Sequence, residues 1–242
     1  IGVAAVTMLI MSGDLPLSLV GEALFSGVDA FALTAVPLFI LTGDVLVRTG
    51  LSRKFLDVAE ALTCFARGGF GSATVIVCGM FSAISGSDAA GAAAVGRMTI
   101  NRLVESGYPR PYACALVAAG ACTGILIPPS IAYIIIGLIL GISASTLFLA
   151  ALIPGFAILI SILLTNIVMN AIYKYEGGGN FSFQEWAARL GRTLTSGWYA
   201  FLVPGIIFYG IFSGWLTPTE AGATAVVITI IIGFIMVKQK II

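Results

Sequence analysis

Histidine is absent from the 242 residues, and charge is scarce, with Asp, Glu, Lys and Arg filling 10% of positions against about 25% in an average soluble domain. Without imidazole, His-based triads lose their base, and haem attachment and most zinc sites lose a usual ligand. The four cysteines (Cys64, Cys78, Cys114 and Cys122) form no CxxC pair, lie in or beside apolar stretches, and read as packing residues. Charge of one sign is also missing: 12 basic residues face 11 acidic ones, which leaves no basic field for nucleic acid and no acidic tract for disorder. What is abundant is apolar surface. Hydrophobic residues make up 59% of the chain, which excludes a soluble globular domain.

From Arg110 to Lys174 no charge interrupts the sequence, room for more than one crossing of about 20 residues each. Similar runs occupy Phe31 to Gly43, Gly68 to Ser87, Thr193 to Thr219 and Ala221 to Val237. The chain therefore reads as an all-α polytopic membrane protein embedded in a lipid bilayer. Ile1 to Met11 is too short to span alone and carries no readable secretory signal, and with Ile1 in place of Met the true start is expected to be missing.

The basic residues fall into four groups: Arg48, Arg53, Lys54 and Arg67; Arg97, Arg102 and Arg110; Lys174, Arg189 and Arg192; Lys238 and Lys240. If Gly68 to Gly96 crosses once, the first group lies opposite the other three. If it enters and returns as a hairpin, and the long uncharged run crosses twice around Gly141 to Ser145, all 12 share one face, as cytoplasmic loops require. Asp14, Glu22, Asp29 and Glu220 then occupy the outer face. The middle of the hairpin, Ser85-Gly86-Ser87-Asp88, is where helix should break, because Gly tolerates turn geometry while Ser and Asp cap a following helix. Arms of about 14 residues would reach about 21 Å, placing the tip near the midplane of a ~30 Å core. Backbone exposed at that depth is tolerated where it is buried in protein or lines a wet cavity, which makes the tip a candidate site.

Two stretches read as helices lying on the inner surface. Ser52 to Ala66 gathers Phe55, Val58, Ala59, Leu62 and Phe65 on one face, away from Arg53, Lys54, Asp57 and Glu60. After Gly177-Gly178-Gly179, Ser182 and Glu185 fit a capping box, and Phe183, Trp186, Ala187, Leu190 and Leu194 recur at helical spacing opposite Arg189 and Arg192. Both are expected to be struts without chemistry.

Gly124-Ile125-Leu126-Ile127-Pro128-Pro129-Ser130 should break a membrane helix, since a double proline removes two donors and bars the preceding residue from continuing the helix. The Ile125 to Ile127 carbonyls are left without intrahelical partners. Each of the two breaks then offers carbonyls suited to a cation and a helix N-terminus suited to an anion, the pattern by which secondary transporters bind a coupling ion and an anionic substrate. Sodium suits oxygen-only ligands of this kind.

Asp88 has two readings, a functional acid within the membrane or a charge favouring the N-terminus of the second arm. Asp44 reads as an ion pair with Arg48, Thr217-Pro218-Thr219-Glu220 as a capped helix start, and Asn166 with Asn170 as polar glue between helices.

Taken together, ISGSDAAGAAAVG (Ile84 to Gly96), GYPRPYACALVAAG (Gly107 to Gly120), GILIPPS (Gly124 to Ser130) and LTPTEAGATAVV (Leu216 to Val227), with VPLFILTGDVLVRTGLS (Val36 to Ser52), resemble the large membrane subunit of tripartite ATP-independent periplasmic (TRAP) transporters. The likeness runs in order over nearly the whole chain. It implies a multi-pass protein of the bacterial inner membrane: a sodium-driven, elevator-type importer of organic acids such as dicarboxylates, sialic acid or sulfonates. Its partners would be a small membrane subunit and a periplasmic substrate-binding protein.

Carried onto this sequence, the resemblance implies a sodium site from Ser85 and Ser87 of the hairpin with Gly124, Ile127 and Pro129 of the unwound strand, the last three through carbonyls. Gly86 would shape the tip and Ser130 would begin the returning half-helix towards the substrate, with Pro128 a further substrate or tip-shaping candidate; Asp88 stands where that family often carries small or uncharged residues, a departure that would alter cation binding or substrate sign. Three parts are expected. Residues 1–67 hold the end of a first helix, an outer-surface segment, a scaffold helix and an inner arm helix. Residues 68–173 form the moving part, with hairpin 68–100, broken helix 111–141 and following helix 146–173. Residues 174–242 hold an inner surface helix and two spans that begin a second repeat. The second hairpin and second PP break of that family find no match in this sequence, so a fragment is expected.

Two other functions stand beside it, a sodium-coupled anion carrier working without a binding protein and an intramembrane enzyme. For the enzyme, a rhomboid-type protease lacks its His, and the string nearest to an aspartyl protease GxGD is Leu41-Thr42-Gly43-Asp44. No enzymatic activity is expected.

Overall fold

The computed structural model describes residues 7, 8, 11, 18–66, 68–177 and 183–238. The expectations for Ile1 to Met11, Asp14, Arg67, Gly178-Gly179, the capping residue Ser182 and Lys240 lie wholly or partly outside them. The described residues are helical, without strands. In chain order the helices are α1 (Ser18–Val28), α2 (Ala35–Arg48), α3 (Leu51–Thr63), α4 (Gly69–Ser85), α5 (Asp88–Glu105), α6 (Arg110–Ala121), α7 (Ile131–Leu140), α8 (Ala144–Tyr173), α9 (Phe183–Gly197), α10 (Leu202–Phe212) and α11 (Pro218–Lys238).

Phe31–Arg48, Ala144–Tyr173, Phe183–Phe212 and Pro218–Ile235 are each long and apolar enough to cross a membrane. α8 shows why the bilayer is the fitting solvent. Phe148, Ala151, Gly155, Asn166 and Asn170 form its buried stripe, while Leu149, Ile153, Ile160, Leu164 and Ile172 face outward uncovered. A helix apolar all round and covered along one stripe needs lipid on the rest.

α4 and α5 form the expected hairpin. Antiparallel pairing is shown near the tip, where a Cβ on Gly91 would lie 2.9 Å from Ser82 Oγ, and at the base, where the Arg102 guanidinium lies 4.3 Å over the Phe70 ring. The arms have 17 and 18 residues, longer than expected. The extra length is at the base, where Arg97, Arg102 and Glu105 continue α5 past its apolar part.

Where the double proline stands, α6 ends at Ala121, Cys122–Ile125 tightens to a 3-10 turn, and helix resumes only at Ile131. The loosening thus starts ahead of Pro128. Gly120 lies against Cys78 and Gly124 against Ser82 there, so the missing side chains let this strand approach α4. Pro128-Pro129 itself is cis.

α3 and α9 pack on each other, with Phe65 and Trp186 edge to face at 6.4 Å. The buried face of α3 is Leu51, Phe55, Leu56, Val58, Ala59 and Ala61, whereas Leu62 and Phe65 are exposed. Those two belong to the apolar face expected of a helix lying on the membrane surface. Gly197 leaves helical geometry (φ −128°, ψ 7°), so α9 is set apart from α10 by a 3-10 turn at Trp198–Phe201. At the start of α11, Thr217 and Glu220 form the expected capping box. The Thr217 backbone N–H and hydroxyl both donate to Glu220 Oε2 at 2.8 Å, and the Glu220 N–H donates to Thr217 Oγ1 at 3.3 Å.

Candidate functional site

The hairpin tip is built by its own sequence. Gly86 adopts φ +64°, a conformation that glycine takes without strain, and its N–H donates to the Ser82 carbonyl at 2.8 Å, ending α4. Ser87 is extended (φ −138°, ψ 122°) and caps α5, its Oγ accepting from the Ala90 N–H at 3.4 Å. Ser85 is fully buried and its hydroxyl donates to the Ser87 carbonyl at 3.3 Å. Asp88 is half-buried in the first turn of α5 and forms no ion pair among the described residues.

The tip rests on the break. The Ile131 N–H donates to the Gly86 carbonyl at 3.3 Å, and a Cβ on Gly86 would stand 2.9 Å from the Pro129 carbonyl oxygen. On the other strand, a Cβ on Gly124 would stand 2.8 Å from Ser82 Oγ and 3.1 Å from the Asp88 nitrogen. Gly86 and Asp88 are thus brought against Gly124, Pro129 and the Ser130-Ile131 turn, with Ser85 and Ser87 in the same tip. The Ile127 side chain points elsewhere, packing toward Gly79 and Gly155 between α4 and α8, so its carbonyl is what it can offer a ligand. Pro128 is buried, without a contact to the tip that fixes its role.

Two hydroxyls stand out for what they lack. Ser82 Oγ and Ser130 Oγ are buried without a hydrogen-bond partner, a costly state unless a ligand or water completes them. Ser82 escaped sequence reasoning, although it lies one turn before Ser85 on the same helix. Thr42-Gly43 of α2 was also missed as a neighbour: a Cβ on Gly43 would lie 2.9 Å from Ser85 Cβ, so α2 backs the tip. Among the described residues, no group of three His, Cys, Asp or Glu side chains could hold a metal ion. A cation here would be held by hydroxyl and carbonyl oxygens, donors that fit sodium better than a transition metal.

A second polar cluster fixes the base of the hairpin. The Glu176 carboxylate accepts from the Phe70 N–H at 3.0 and 3.1 Å, at the start of α4, and from the Tyr108 hydroxyl at 3.1 Å. Asn170 holds the Glu176 backbone from both sides, donating to its carbonyl at 2.8 Å and accepting from its N–H at 2.9 Å. Asn166 donates to the Gly68 carbonyl and to Ser72 Oγ and accepts from the Tyr112 hydroxyl. Burial, and then the Glu176 charge, push the Tyr108 phenol above its ordinary value. Asn166 is the expected glue between helices, whereas Asn170 bonds to the chain just past its own helix, and Glu176 joins them unforeseen. Elsewhere Asp44 pairs with Arg48 at 2.7 Å, as the spacing predicts, and Glu60 of α3 pairs with Arg102 of α5 at 2.7 Å.

A family model described as the DctM component of tripartite ATP-independent periplasmic transporters matches residues 1–242. The isethionate TRAP transporter permease protein DctMQ of Oleidesulfovibrio alaskensis is 35% identical, over 96% of this chain and 36% of its own length. The C4-dicarboxylate TRAP transporter large permease protein DctM of Pseudomonas aeruginosa is 35% identical, over 92% and 51%. The sialic acid TRAP transporter large permease protein SiaM of Vibrio cholerae is 30% identical, over 96% and 53%. The chain thus spans about a third to a half of the length of these curated relatives.

Proposed function

The chain belongs to the DctM family of tripartite ATP-independent periplasmic transporters, and from that membership we propose that it is part of a large permease subunit importing an organic acid with sodium by an elevator movement. The relatives are named as permeases, and isethionate, C4-dicarboxylates and sialic acid, the compounds in their names, all carry an anionic group. The proposed partners are a small membrane subunit and a periplasmic binding protein, and the proposed location is the bacterial inner membrane.

The observation that carries this reading is the seating of the hairpin tip on the broken helix, through Gly86 on Pro129 and Ile131 and through Ser82 on Gly124. Sodium is assigned to Ser85 and Ser87 with the carbonyls of Gly124, Ile127 and Pro129, and Ser82 supplies a further buried hydroxyl beside them. The substrate anion is assigned to the side of Ser130 and the start of α7, where N–H groups and the helix dipole favour negative charge. Gly86 and Pro128 shape this cavity and Asp88 borders it. From Asp88 to Arg97, α5 rises about 14 Å. With Arg97 at the inner interface, the tip of a re-entrant hairpin stands near the middle of a ~30 Å core. The moving unit is assigned to residues 68–176. Its end shifts from residue 173 because Glu176 is bonded to Phe70 and Tyr108 inside it. Residues 1–67 and 177–242 are assigned to the scaffold and to the start of a second repeat.

The test is uptake into proteoliposomes holding the intact permease and its small subunit, with binding protein outside. Replacing Ser85 and Ser87 together by Ala is expected to raise the sodium concentration needed for half-maximal uptake by about tenfold or more, the loss of one to two oxygen ligands. An unchanged sodium dependence refutes the site, and uptake that needs no binding protein refutes the tripartite reading.

A further inference from the structure

Away from the tip, α3 and α5 enclose a cleft of about 480 Å3 lined by Arg53, Leu56, Asp57, Arg97, Met98 and Arg102. We propose that this cleft binds the phosphate of an anionic phospholipid headgroup, with the Arg53 and Arg97 guanidinium groups as its ligands. The inference goes beyond transport and does not depend on how sodium or substrate is bound.

The three arginines are not equivalent. Arg102 is already engaged, bonded to Glu60 at 2.7 Å and laid over the Phe70 ring, so it fixes the wall of the cleft. Arg97 uses Nε on the Ala93 carbonyl at 3.2 Å, which leaves its terminal nitrogens to the cleft. Arg53 is exposed and, although Asp57 stands one turn on, the two make no ion pair among the described residues. Three guanidinium groups therefore face the carboxylates of Asp57 and Glu60, and the excess charge belongs to the two arginines with donors to spare. Their planar forks suit phosphate oxygens better than a point charge would.

The floor decides between a lipid and a free anion. Leu56, buried, and Met98, half-buried, line the cleft beside the arginines, and Leu62 and Phe65 expose apolar surface at and just past the end of α3. A headgroup with its glycerol and acyl stems can use both the apolar floor and the charged rim, whereas free phosphate gains nothing from the floor and loses to screening by salt. Basic residues at helix ends also favour the inner leaflet, where anionic lipids concentrate.

The proposal is tested by native mass spectrometry of the intact permease, released from detergent containing equal phosphatidylglycerol and phosphatidylcholine. Phosphatidylglycerol adducts are expected to dominate, to be lost in the Arg53→Gln/Arg97→Gln variant, and to increase about fivefold in Asp57→Asn, the effect of removing one like charge beside an anionic headgroup. That gain separates binding from misfolding, since a damaged protein would not bind more lipid. Equal retention of phosphatidylcholine, or adducts unchanged in both variants, overturns the proposal. Displacement of the lipid by millimolar inorganic phosphate would assign the cleft to a free anion and overturn it equally.

Discussion

Gly86 is the residue on which the site turns, because its φ of +64° and its position 2.9 Å from the Pro129 carbonyl leave no room for a side chain. Gly86→Ala is expected to strain the turn by about 1–3 kcal/mol and lift the tip off the break, abolishing uptake while the permease still reaches the membrane. Gly124→Ala is expected to act alike, since its Cβ would meet Ser82 at 2.8 Å, and uptake assays alongside surface expression check both. Asp88 keeps two readings, and as a helix charge in the first turn of α5 it would matter for stability alone. Asp88→Asn should then cost about 0.5 kcal/mol of stability and leave sodium dependence intact. A changed sodium dependence would make it part of the site. The tip serines and the double proline were legible because each breaks a local rule of helix chemistry. Ser82 was not, since one hydroxyl within an apolar run looks the same whether it is buried without a partner or faces a neighbouring helix.

At the scale of elements, the turn between α4 and α5 was legible because Gly86 stands between Ser85 and the capping pair Ser87-Asp88, and the Thr217–Glu220 box was legible because its parts lie within one turn. The cluster at the hairpin base was hidden for the opposite reason: Glu176 meets Phe70 across 106 residues, and nothing local marks it. Glu176 caps the N-terminus of α4 and ties it to the end of α8. Glu176→Gln is expected to destabilise the permease by about 1–3 kcal/mol, because the Phe70 N–H keeps at most one neutral acceptor. Tyr108→Phe should cost less, as it removes one of the bonds to the same carboxylate. Thermal unfolding in detergent reads both, and equal effects would mean that the phenol and not the carboxylate anchors the base. On α3, Leu62 and Phe65 of the expected apolar face stand uncovered by protein. Periodicity gives the apolar side of a helix but cannot say which part of that side a neighbour covers.

For the whole molecule, the proposed division into a moving unit and a scaffold would pass between α3 and α5, where Ser52 Oγ and Met98 Sδ lie 3.6 Å apart, and would leave Ser72 and Asn166 on the same side, 3.1 Å apart. In a background lacking the native cysteines, bridging Ser52→Cys to Met98→Cys is expected to stop uptake, while bridging Ser72→Cys to Asn166→Cys should leave most of it. Equal inhibition by both bridges would remove the basis for that division. The membrane character of the chain was legible from composition alone, and its family from motifs in a fixed order. That the tip meets the break came only through the resemblance, because contacts between segments some forty residues apart follow from packing and leave no periodic trace. The central claim, that this contact forms the sodium and substrate site, is tested most directly by the sodium dependence of uptake in proteoliposomes containing the intact permease, its small subunit and binding protein. The account predicts uptake that requires an inward sodium gradient and is lost in Gly86→Ala but kept in Thr217→Ala, which weakens only a distant helix cap. Uptake indifferent to sodium, or undiminished in Gly86→Ala, would contradict it.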